Sequence, residues 1–143
     1  ENEYDEIEIR RTTPVFIFCN INGIKSDFVK HNKSNLLKPC ITIDGIRMYS
    51  IEDIAAMKLN AICGRGSKKD FYDIYLLLQK FTLKELLTFF DTKFNSDNSL
   101  MAIKSLQYFE DADQNEQPEL LITYPDWNKM KQFFIKTVND FNF

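Results

Sequence analysis

Between Ser50 and Leu78 the chain reads SIEDIAAMKLNAICGRGSKKDFYDIYLLL, and this stretch permits little besides two helices joined by a short glycine turn. Ser50 and Asp53 form an S-x-x-D capping signature for the first helix, which is predicted to run to about Cys63 and stop at Gly64 or Gly66. Ser67 and Asp70 repeat the signature for the second. Ile54, Lys58, Ala61, Ile62 and Arg65 fall at helical spacing, so two long cations share a stripe with apolar neighbours. Asp70 and Asp73 lie one turn apart on the next helix, which brings two carboxylates close to those cations. A charged constellation set between apolar runs is the chain's strongest candidate for chemistry.

The rest of the chain supplies a sheet and further helices. Ile7 and Ile9 alternate with charged residues, as a half-exposed strand requires, and Pro14 interrupts that pattern. VFIFCNI then leads into Asn22-Gly23, a dipeptide that favours a two-residue type I′ hairpin, and IKSDFVKH returns from it. With that turn Ile21 faces Ile24, Phe18 faces Asp27 and Ile17 faces Phe28, so Asp27 shares a face with Phe16, Phe18, Lys25 and Val29. A carboxylate there needs an ion-pair partner, a metal or an open edge. CITIDGIRM repeats the hairpin pattern around Asp44-Gly45, and both hairpins are expected in one antiparallel sheet. Thr82 and Glu85 cap a third helix with Leu83, Leu86, Leu87 and Phe90 at helical spacing. LMAIKSLQYF predicts a short helix, EDADQNEQPE an exposed acidic loop or helix end, and Pro125 the first turn of a last helix striped by Trp127, Met130, Phe134, Val138 and Phe141.

The expected fold class is therefore α+β: a small antiparallel sheet of two hairpins packed against a C-terminal group of four to five helices. With 143 residues the chain is expected to form a single domain, residues 1–49 being β-rich and 50–143 helical. A formal charge of −3 argues against a generally basic nucleic-acid wrapper, although a local basic cleft is compatible with it. Three cysteines without a C-x-x-C pair suggest free thiols rather than a disulfide framework or a zinc site. No charged-then-apolar leader opens the chain and no apolar run approaches the roughly 18 residues of a membrane span, so a cytoplasmic location is expected. The start at Glu1, within a strand-rich region, reads as though a segment upstream had been removed.

DIAAMKLNAICGRGSKKDFYDIYLLL, preceded by NGIKSDFVKH and IDGIRMYSIED, resembles the AbiEii-like nucleotidyltransferases, the abortive-infection and toxin–antitoxin relatives of the DNA polymerase β superfamily. The resemblance runs from about Phe16 to Phe94 and is most specific from Lys58 to Asp73. It implies a bacterial, nucleoside-triphosphate-dependent enzyme that uses magnesium to modify an acceptor such as RNA, with an antitoxin as partner. By resemblance Asp27 is the third metal-site carboxylate, Lys58 and Arg65 meet the triphosphate, and Asp70 and Asp73 orient the cations or assist proton transfer. The family's first motif, a G-S pair followed by D-x-D, has no counterpart in residues 1–26. Gly66-Ser67 and Asp111-Ala112-Asp113 stand in the wrong order and context to replace it, so the chain is expected to be the C-terminal part of the enzyme and inactive alone.

Each site residue also has a plainer reading. Asp27 serves equally as an edge-strand aspartate paired with Lys25, and Lys58 as a lysine snorkelling off an apolar helix face. Asp70 suits a helix N-terminus, and Asp73 suits a salt bridge to Arg65 or Lys69. His31 lacks the companions a metal site needs. The competing function is a non-catalytic assembly module, with an exposed sheet edge suited to homodimerisation or partner capture.

Overall fold

The structure, a computed structural model, describes residues 6–30 and 36–141; His31 lies outside them. The chain forms two compact units, residues 1–34 and 35–143. In the first, β1 (Ile7–Thr13), β2 (Phe16–Ile21) and β3 (Ile24–Val29) make an antiparallel sheet in the order β1-β2-β3. Asn22 and Gly23 both take positive φ, 49° and 79°, as a type I′ turn requires. The turn fixes the predicted register, Ile21 opposite Ile24, Phe18 opposite Asp27 and Ile17 opposite Phe28. The β1–β2 pairing shifts between Ile9 and Arg11, where a bulge takes up one residue.

The second unit opens with β4 (Ile41–Ile43) and β5 (Ile46–Met48), joined by Asp44-Gly45 with φ of 50° and 78°. Both hairpins form where the turn dipeptides predict. Among the described residues, however, the second pairs only with itself instead of joining the first sheet. Its three-residue strands belong to the helical unit, and the backbone just before them is tied to a helix, as shown below. The class is α+β, and the contacts divide the chain between residues 34 and 35.

The helices are α1 (Ile51–Gly64), α2 (Lys68–Leu77), α3 (Leu83–Phe94), α4 (Ser99–Ser105), the single turn α5 (Glu110–Asp113) and α6 (Trp127–Asn139). Ser50 Oγ accepts from Asp53 N–H at α1, and Thr82 with Glu85 forms a complete capping box at α3. Ser67 departs from the predicted cap: its hydroxyl donates to Asp70 and accepts no N–H of α2. The last helix begins at Trp127, two residues after Pro125. Asp126 is its N-cap, accepting from Lys129 N–H, and Pro125 only sets the approach.

Among the described residues the buried core cluster lies in the second unit, from Ala55 to Phe134. Phe71 is fully buried with Trp127 and Phe134 edge-on to its ring at 5.6 and 5.3 Å. An aromatic side chain so enclosed stabilises the fold by roughly 2–3 kcal/mol through burial, before any ring–ring attraction. Met130 and Phe134 carry the predicted stripe of α6 into this core. Packing also corrects the reading of α1. Its buried row is Ala55, Leu59 and Ile62, whereas Ile54 is exposed and Lys58 only partly buried. The row 54, 58, 61, 65 is offset by one residue, about 100° of helix, which puts both cations on the boundary of the core instead of inside it.

Candidate functional site

Helix α1 stops because Arg65 N–H and Gly66 N–H both fall back on the carbonyl of Ala61, and Gly66 takes φ +52° to redirect the chain. The reversal sets Arg65, Ser67 and Asp70 against one another within a few residues. Arg65 donates to Asp70 through both Nε and Nη2 at 2.8 Å, a bidentate pair. Ser67 Oγ adds a 2.5 Å bond to the same carboxylate. Lys58 reaches across from α1, its Nζ 2.5 Å from Asp73 Oδ2 and 3.5 Å from Asp70 Oδ1. The structure thus brings together the four residues Lys58, Arg65, Asp70 and Asp73.

Their environments separate their roles. Asp70 is completely buried, while the side chains of Lys58, Asp73 and Arg65 are 31, 40 and 57% exposed. Burial alone raises the pKa of Asp70; the hydrogen bonds of Arg65 and Ser67 and the charges of Arg65 and Lys58 outweigh it and hold the carboxyl below its ordinary range. The same bonds raise Arg65. Asp70 therefore braces two cations, and its oxygens are fully engaged. Lys58 and Asp73 pair with each other at the surface and stay partly exposed. Of the alternatives open for Asp73, the partner is Lys58 and not Arg65 or Lys69.

Two depressions flank this group. One, about 350 Å³, runs along α2 past Lys69, Tyr72, Asp73 and Leu76 to Leu121 and Tyr124. The other, about 330 Å³, is lined by Gly64, Arg65, Gly66 and Lys104 at the glycine turn. Burial, with the charge of Asp73, pushes the Tyr124 hydroxyl up.

Asp27 lies on β3, in the first unit, on the face its alternation predicts. Its carboxylate is 43% exposed and 3.8 Å from Lys25 Nζ, the edge-strand pairing set out above. Among the described residues no group of three or more His, Cys, Asp or Glu side chains is arranged to hold a metal ion. Asp70, with both oxygens occupied, is unsuited to one, and the carboxylates of this segment do not by themselves make a magnesium site. The triplet Asp111-Ala112-Asp113 is structural in part: Asp113 accepts from Trp127 Nε1 and pairs with Lys131 at 3.0 Å. The three cysteines are free, Cys19 buried and Cys40 and Cys63 half-buried.

A second ionic centre escaped the sequence reading. Asp53, read there only as a cap, is fully buried and 2.5 Å from the equally buried Lys93 of α3. It also accepts from Ser50 Oγ and from the N–H groups of Leu37 and Lys38. Burial opposes its charge, but these donors prevail and lower its pKa from 3.8 to about 2. The signal was present: Lys93 continues the apolar row Leu83, Leu86, Leu87, Phe90. A cation in a core row needs a buried partner.

The structure is that of an α+β chain whose helical unit carries two cations, Lys58 and Arg65, braced by one buried carboxylate. The chain belongs to the AbiEii nucleotidyl transferase toxin family of type IV toxin–antitoxin systems, whose family model matches residues 22–142. It is similar to an uncharacterised protein of Aquifex aeolicus (strain VF5), 36% identical over 124 residues, a match covering 85% of this chain and 59% of that relative. The chain thus spans less than two thirds of that relative's length. No solved structure matches it significantly. Among the described residues no helix is long and apolar enough to cross a membrane.

Proposed function

We propose that this chain is the C-terminal portion of a nucleotidyltransferase toxin, and that Lys58 is its triphosphate ligand. The observation that carries the reading is the half-exposed Lys58 ammonium, held between Asp73 and the buried Asp70 beside Arg65 in a member of this family. Transfer of a nucleotidyl group forms a bond from an acceptor oxygen to the α-phosphorus and breaks the α–β bridging P–O bond, releasing pyrophosphate. A cation at the triphosphate offsets the charge gathering on that leaving group. Asp73 orients Lys58 and assists the acceptor's proton, and Asp70 holds both cations in place.

In this reading magnesium is bound by Asp27 together with carboxylates beyond residues 1–143, and the chain alone does not complete the reaction. RNA is the proposed acceptor, the cytoplasm of a bacterium the proposed setting, and phage defence with an antitoxin the proposed context. A second reading, an assembly module, draws on β3, which ends the sheet with Phe28 and Val29 55 and 62% exposed; an edge of that kind suits homodimerisation.

The test uses the full-length protein with magnesium, α-labelled nucleoside triphosphates and RNA. Lys58→Ala is expected to lower label transfer by about a hundredfold or more while leaving the melting temperature within a few degrees. Unchanged transfer in Lys58→Ala rejects the assignment. An unaltered protein that transfers no label favours the assembly module.

A further inference from the structure

We propose that the groove between α2 and residues 118–124 is the seat of the nucleobase, an assignment that rests on Lys58 being the triphosphate ligand. The groove is continuous with that site, because Asp73 both pairs with Lys58 and lines the groove. Lys69, one helical turn before Asp73, lines it too, so its charged end is the end next to Lys58. Away from that end the lining turns aromatic and aliphatic: Tyr72, Leu76, Leu121 and Tyr124. The rings of Tyr72 and Tyr124 meet edge to face with centroids 4.9 Å apart, which holds Tyr124 in a fixed orientation at the surface.

The apolar side chains of this groove are poorly covered. Leu76 is 37%, Ile122 54% and Leu121 94% exposed. The opening of about 350 Å³ falls in the range of small-molecule sites, about 300–1,000 Å³. A heteroaromatic base suits it on both counts: its faces pack on Tyr124 and the leucines, and its sugar and phosphates extend from the charged end towards Lys58. A purely apolar ligand makes no use of the charged end, and a free phosphate leaves the leucines exposed.

The two parts of a nucleotide test the two parts of the site. Calorimetric titration of the full-length protein with magnesium uses ATP, CTP, GTP and UTP alongside inorganic triphosphate. At least one nucleotide is expected to bind on the order of tenfold tighter than triphosphate, the difference a single stacked base supplies. Tyr124→Leu is expected to erase that difference while triphosphate binding is retained, which also reports an intact fold. Leu76→Gln, at a half-exposed helix position, is expected to reduce it without removing a core side chain. Equal affinity for nucleotides and triphosphate in the unaltered protein, or an undiminished nucleotide preference in both variants, overturns the base seat alone. Triphosphate binding that is absent, or indifferent to Lys58→Ala, removes the Lys58 assignment and the base seat with it.

Discussion

Asp70 and Asp73 are three residues apart and were equivalent candidates by spacing, yet their surroundings give them opposite sensitivities. Asp70 is fully enclosed and takes three hydrogen bonds, so Asp70→Asn forces Arg65 and Ser67 to find new partners in a closed space. We expect a loss of about 2–4 kcal/mol in urea unfolding. Asp73→Asn acts on a half-exposed pair and is expected to cost less than about 1 kcal/mol, so any loss of triphosphate binding it causes is a ligand effect. Asp53 and Asp70 both carry acid-dependent stability, since both carboxyls are held below their ordinary range, and Asp53 defines its window. The Asp53 carboxyl titrates near 2 when folded against 3.8 ordinarily, so its contribution is complete above about pH 4 and is lost as pH falls through the interval down to about 2. Its full loss amounts to about 2 kcal/mol. Lys93→Met removes one of the four donors to Asp53, the lysine that lowers the carboxyl most, and its acid unfolding curve should show that component reduced.

The turns and caps illustrate how far short motifs reach. Asn22-Gly23 and Asp44-Gly45 each needed two consecutive positive φ angles, and few dipeptides other than these adopt them cheaply, so the hairpins and their register were readable in advance. The Thr82–Glu85 box formed as written, and Thr82→Ala is expected to lower stability by about 1 kcal/mol in thermal unfolding. Ser67–Asp70 has the same pattern and a different outcome. There Arg65 delivers a charged fork to the aspartate, and the serine hydroxyl turns to donate to it instead of capping the helix. A local motif competes with whatever charge the tertiary fold brings near, and a guanidinium prevails over a backbone N–H.

The two units differ in what sustains them. Every residue of the buried core cluster lies between Ala55 and Phe134, so a fragment of residues 35–143 is expected to keep its helical circular dichroism and unfold cooperatively. Residues 1–34 fall below the roughly 40 residues at which a chain ordinarily sustains a core. The corresponding peptide is expected to show no cooperative transition in the same measurement. Within the helical unit, the Asp53 carboxylate holds the N–H groups of Leu37 and Lys38, and so attaches the approach to the second hairpin to α1 and α3.

Turn dipeptides, helix punctuation and the Lys58–Asp73 pattern are properties of neighbouring residues, and these were legible from the chain alone. The α+β class and the family resemblance followed from them. Which row of α1 is buried, which aspartate is sealed and which is open, and that Asp53 has Lys93 as its partner forty positions away are properties of packing. A difference of one residue turns a helix side chain by about 100°, and the desolvation that distinguishes a structural carboxylate from an available one exists only after the helices close around it.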